Sequence, residues 1–148
     1  MSNKSTGTKF ELELSETLAG RGFWVHRLQD NQNGQPCDLI ACRNGQAWLI
    51  DCKDCQGDFF QLRRMEENQR NAMTLFRSTG NRGGLFAIRF SNGRIYMIPY
   101  QRLIAQEKIG MKRLHVSHCA ACGMDLEYWM AIYGTPKGAK QDAGNDQQ

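Results

Sequence analysis

Apolar residues recur along this chain with two different periods, and their succession sets out an alternating α/β order. Residues 8–21 carry Phe10, Leu14 and Leu18 along one helical stripe and end at the breaker Gly20-Arg21-Gly22. Phe23 to Leu28 reads as a strand and Gln29 to Gln35 as a polar loop. The runs Leu39-Ile40-Ala41 and Ala47-Trp48-Leu49-Ile50 flank Asn44-Gly45, the strongest two-residue hairpin signal. They predict strands at about 37–43 and 46–53, apolar on both faces and therefore buried between layers. Gln61 to Ser78 reads as one long helix with Leu62, Met65, Ala72, Met73 and Phe76 at helical spacing. Leu85 to Phe90 and Ile95 to Ile98 are strands joined at Ser91-Asn92-Gly93. A short helix over Tyr100 to Glu107, an extended piece near 109–116 and a helix near 124–133 complete the order. From Gly134 the composition is Gly, Lys, Gln, Asn and Asp, which predicts a disordered tail over 134–148 behind a single domain over 1–133.

The hairpin carries the chemistry. With Asn44 and Gly45 in the turn, Arg43 pairs with Gln46, and continuing the register sets Asp38 opposite Asp51. Lys53 shares their face because strand side chains alternate. Opposed like charges destabilise a sheet, so the pairing calls for a cation or a proton between the two carboxylates. A helical wheel puts Glu11 at the edge of the Phe10/Leu14/Leu18 stripe, facing the sheet, with Glu13 on the flank and Glu16 opposite. Gln69 falls within the apolar stripe of the long helix, and a buried amide needs a partner. The bland alternative is that Asp38, Asp51 and Lys53 form a surface salt-bridge group; apolar neighbours on both faces argue against it.

These residues resemble the PD-(D/E)xK nucleases. The likeness rests on Gly7-x3-Glu11, Gly22-Phe23, Asp38-Leu39-Ile40, Asp51-Cys52-Lys53, Phe60-x-Leu62, Asn68-Gln69 and the run Gly83 to Phe90. It covers roughly residues 7 to 104, and within the superfamily it points to the Holliday junction resolvases of the RecU type. The pattern departs in three places. Pro36 is separated from Asp38 by Cys37, Asp51 stands where Glu is commoner, and the stalk insertion of RecU-type enzymes is absent between Leu28 and Pro36. The resemblance implies a restriction-endonuclease-like α/β core, a mixed central sheet flanked by helices. It also implies Mg2+-dependent cleavage of branched DNA by a homodimer, with Mn2+ substituting. Glu11, Asp38, Asp51 and the carbonyl of Cys52 would hold the metal, Lys53 would act on water and phosphate, and Gln69 would position one of them. Without the stalk, a nickase or a repair or phage DNA-processing nuclease on the same fold is the nearer rival. A catalytically silent DNA-binding module is the further one.

Composition changes this picture little. The 148 residues, 41% hydrophobic, suit one core. The net charge of +4 leans toward a phosphate-bearing partner. Arg27, Arg63, Arg64, Arg70 and Arg82 are the candidate DNA contacts, with Arg77 and Arg89 part of the same basic surface. Neither a signal-peptide core nor an apolar run of about 18 residues is present, so the expectation is a cytoplasmic protein, bacterial or phage-encoded, away from membranes. The six cysteines are then expected to be reduced. Cys119-x2-Cys122 with His115 has zinc-like spacing, but a closed site needs four ligands, so structural zinc is the weaker reading. Trp24, Trp48 and Trp129 are expected in core or interface rather than as base-stacking platforms.

Overall fold

Asn44 and Gly45 make the turn that starts the sheet: both have positive φ, 52° and 75°, the backbone a type I′ hairpin demands. The computed structural model describes residues 3–29 and 35–138. The turn joins β2 (Leu39–Arg43) to β3 (Gln46–Asp54), paired from Arg43↔Gln46 to Leu39↔Ile50 in the expected register. β1 (Trp24–Arg27) lies antiparallel on the outer side of β2. After β3 the chain runs through β4 (Phe59–Gln61), a 3₁₀ turn at Leu62–Arg64 and α2 (Glu67–Ser78). It returns as β5 (Gly83–Arg89), parallel to β3. β6 (Ile95–Pro99) is antiparallel to β5, and the two-residue β8 (Met124–Asp125) closes the order β1-β2-β3-β5-β6-β8. The result is the expected mixed sheet with helices on both faces.

Strand alternation sorts the apolar residues into two cores. Phe10, Leu14 and Leu18 of α1 (Asn3–Ala19) and Trp129 and Met130 of α5 (Leu126–Tyr133) pack on Trp48, Ile50, Leu85 and Ala87. On the other face, Met73 of α2, Leu103 of α3 (Tyr100–Lys108) and Cys119 of α4 (Val116–Cys122) pack on Leu49, Phe86 and Ile88. One glycine sets the spacing of that second layer. A Cβ at Gly84 would fall inside the Met73 side chain, so a bare backbone lets α2 lie directly on β5.

The long helix expected over 61–78 is divided. Phe59 to Gln61 pair instead with β7 (Arg113–His115). The true helix begins at a capping box, in which Glu66 takes the N3 backbone N–H and the Gln69 side chain takes the Glu66 N–H. Leu62 and Met65 are buried all the same, because the 3₁₀ turn delivers them to the same core. The short helix α4 and strand β8 occupy a stretch whose apolar residues carry no clear period. Gly134 and Thr135, placed at the head of the tail, are tied to Met130 and Arg21 by backbone hydrogen bonds. The rest of that tail lies outside the described residues from 139 onward.

Candidate active site

Asp38 sits one residue before β2 and is held on both sides by the sheet. Its N–H donates to Ile50 O at 3.0 Å and its carbonyl accepts from Leu28 N at 2.9 Å. Its carboxylate Oδ2 accepts from the N–H of Cys52 at 2.7 Å, across the hairpin. Asp51 is 1% exposed. Its Oδ1 accepts from Gln69 Nε2 at 2.9 Å, so the glutamine that caps α2 with one end fixes the carboxylate with the other. Lys53 Nζ lies 3.0 Å from Asp51 Oδ2, although that oxygen makes no aligned hydrogen bond. The expected group of Asp38, Asp51, Lys53 and Gln69 therefore forms on the α2 face of the sheet. Gly84 makes it possible by letting Met73, one turn beyond Gln69, reach the strands.

Electrostatics mark the same point. Burial, with the neighbouring Asp38 charge adding to it, raises the Asp51 carboxyl to about 7 against the opposing pull of Lys53. The Cys52 thiol is pushed well up by burial, then by Asp38, Asp51 and Glu11 in that order. It points to the α1 side and behaves as a small hydrophobe. Cys37, buried in the core beneath the site, is raised to about 12, chiefly by burial and then by Asp51.

Glu11 does not complete a three-carboxylate cluster here. It approaches from α1, on the opposite face of the sheet, and lies 3.7 Å from Arg27. Among the described residues, no three His, Cys, Asp or Glu side chains are gathered closely enough to bind one ion. The remaining donors, Asp38 and Asp51, nonetheless fit a hard divalent cation. They are two adjacent carboxylates, one of them buried, costly to ionise and with an oxygen left without an aligned donor, and oxygen ligands are what such ions take.

The arginines expected on DNA have diverse fates. Arg63 is exposed and pairs with no carboxylate among the described residues. Arg64 donates to the carbonyl of Asp54 and packs over Phe60. Arg70 bonds the Glu107 carboxylate through both its terminal nitrogens at 2.7 Å, joining α2 to α3. Arg27 lies against Glu11, and Arg82 is in a cleft remote from the carboxylates. Arg89 is locked between Asp54 and Glu13. The zinc-like spacing falls on α4, with Cys119 and Cys122 buried in the core while the exposed His115 caps the helix. Trp48 and Trp129 are core partners 5.1 Å apart, whereas Trp24 on the edge strand is exposed.

Comparison with known proteins gives the family. A family model described as archaeal Holliday junction resolvase (Hjc) matches residues 2–134. The chain belongs to that family. It is a Holliday junction resolvase, a crossover junction endodeoxyribonuclease acting on branched DNA, and its family's members are metal-dependent nucleases. The fold is similar to that of Archaeoglobus fulgidus Hjc, a Holliday junction resolvase from an archaeal hyperthermophile. That likeness has a TM-score of 0.63 and 20% identity and covers 85% of this chain and 96% of that one. A comparison with curated proteins returned no match. The family is archaeal by description, so the expected bacterial or phage source gains no support. Among the described residues, no helix of the resolvase is long and apolar enough to cross a membrane.

Two features of this region have little or no signature in the expected elements. The capping role of Gln69 has only a weak local signal, Glu66-x2-Gln69, because Glu stands where a capping box usually has Ser or Thr. The buried Cys37 beneath Asp51 has no local signal, since its neighbours in space come from β3 and not from its own loop.

Proposed function

We propose that the resolvase hydrolyses phosphodiesters at four-way junctions with Asp38, Asp51 and the carbonyl of Cys52 holding Mg2+, which Mn2+ can replace. The observation that carries this reading is the buried Asp51, which burial and Asp38 make costly to ionise despite the opposing pull of Lys53, so that a divalent cation between the carboxylates would relieve it. A bound divalent ion supplies Lewis acidity at the phosphate and a lower pKa for attacking water. Gln69 fixes the Asp51 carboxylate by its hydrogen bond to Oδ1, and the Cys52 N–H does the same for Asp38. Lys53 Nζ, 3.0 Å from Asp51 Oδ2, orients the attacking water and offsets negative charge developing on the phosphate. The spacing of Asp38 and Asp51 and the Gly83–Phe90 run support a RecU-like core without its stalk. A two-fold symmetric junction cut on two strands needs two such sites, which supports a C2 homodimer.

The test is incubation with labelled four-way, flap, nicked and linear DNA, with Mg2+, with Mn2+ and with EDTA. Paired incision of the four-way substrate with either cation and none with EDTA is expected. Equal cutting of linear duplex would overturn the junction preference, and cutting in EDTA would overturn the metal assignment.

A further inference from the structure

A cleft of about 510 Å³ lies at the end of the sheet where β5 begins, lined among others by Trp48, Arg77, Arg82, Gln101, Arg102 and Tyr133. It is separate from the carboxylate site. Trp48 is three positions upstream of Asp51 on β3, roughly 10 Å along the strand, and points to the opposite face.

Among the described residues, five arginines are paired with carboxylates, whereas those of this cleft, like Arg43, Arg63, Arg64 and Arg113 outside it, are not. Arg21, Arg27, Arg70, Arg89 and Arg94 each lie against a carboxylate. Arg77, Arg82 and Arg102 pair with none among the described residues, and no Asp or Glu lines the cleft. Neutral groups hold two of them in place instead. Arg82 lies 5.1 Å from the Tyr133 ring centroid and 5.8 Å from that of Trp48, and donates to the Tyr133 hydroxyl at 2.7 Å. Arg77 meets the Gln101 amide, which, with its oxygen turned inward, accepts at 2.8 and 3.1 Å. Three arginines thus line one cleft with no carboxylate among its lining residues. The arrangement suits an anion with several acceptor oxygens, for which guanidinium is well matched in geometry.

We propose that this cleft is a second phosphate-binding subsite, taking a phosphate ester between Arg77, Arg82 and Arg102. The ester is either a backbone phosphate of a junction arm beyond the cleavage point or the phosphate of a free nucleotide. Neither source needs the metal, so the site can be tested apart from the active-site reading.

The experiment measures junction affinity by fluorescence anisotropy in EDTA over a series of salt concentrations, for the parent, Arg77→Gln, Arg102→Gln and the double variant. Arg94→Gln serves as the equal-charge control for each single variant. If the cleft takes backbone phosphates, the double variant binds roughly tenfold more weakly. Its slope of log affinity against log salt also falls by about 2, while Arg94→Gln leaves the slope unchanged. A parallel arm follows the melting temperature with AMP and inorganic phosphate. A rise in the parent that the double variant loses, with junction affinity untouched, assigns the subsite to a free phosphate ester. Arg102→Glu, at an exposed helix position, should exaggerate whichever effect is seen. If junction affinity, salt slope and phosphate-dependent melting are the same in parent and double variant, the proposal is wrong.

Discussion

Replacing Asp51 by Asn tests whether the buried carboxylate is a ligand held in readiness or a packing residue. In the metal-free protein, burial and Asp38 raise its pKa from 3.8 to about 7. Keeping it ionised at pH 8 therefore costs about 4 kcal/mol relative to an ordinary aspartate. At 1% exposure, solvent does little to screen that cost. Asparagine removes the charge and keeps an oxygen for Gln69, but leaves Lys53 without its partner, so a net gain of about 1–3 kcal/mol is expected. For a chain of this length that is a rise of roughly 2–12 °C in melting temperature at pH 8 in EDTA. The pH dependence has a definite sign. A carboxyl whose folded pKa is raised contributes full stability below its unfolded value, near pH 4, and loses it as pH rises through about 7. The advantage of the variant must therefore shrink between pH 8 and pH 4.5. Mg2+ or Mn2+ should raise the melting temperature of the parent and hardly move the variant, which should also fail to cut. Differential scanning fluorimetry in EDTA and in divalent metal at both pH values decides it. An equal offset at the two pH values, together with an equal metal response in parent and variant, would refute the reasoning.

Four further outcomes follow from the same geometry. Lys53→Ala should lose cleavage yet keep a metal-induced rise in melting temperature, because the ammonium acts on water and phosphate and is not a ligand; gel assays and fluorimetry on one preparation separate the two. Gln69→Leu should cost about 1–3 kcal/mol, since it leaves Asp51 Oδ1 and the Glu66 N–H unpaired, and should lower kcat more than junction affinity, as single-turnover kinetics and binding titrations will tell. Gly84→Ala should destabilise by about 1–3 kcal/mol, because a new Cβ meets Met73 in a packed layer, and chemical denaturation with a melting point several degrees lower would register it. Light scattering should return about twice the 16.9 kDa chain mass, and a monomer unchanged by junction DNA would count against paired active sites.

The hairpin is legible in the sequence because its information is local. Asn44-Gly45 dictates a turn, the turn dictates a register, and the register sets Asp38, Asp51 and Lys53 on one face. The apolar stripe of residues 10, 14 and 18 is equally readable, and so are the strands around β5 and β6. What the sequence could not show depended on contacts between elements distant in the chain. The pairing of Phe59–Gln61 with Arg113–His115 ends the helical reading at 61, although the apolar spacing alone continues through it. Arg70 reads as one basic residue among several until α3 brings Glu107 to it. Glu11 lies on the predicted helix face, yet whether it reaches the aspartates depends on how α1 seats against the sheet edge, and there it meets Arg27. The cleft around Arg77, Arg82 and Arg102 draws on the end of α2, the following turn and α3. By itself the sequence determined the residue set and the strand register, because backbone period and turn chemistry act over a few residues. Only the tertiary structure decided which charges are paired and which are left free, because pairing is set by the packing of whole helices onto the sheet.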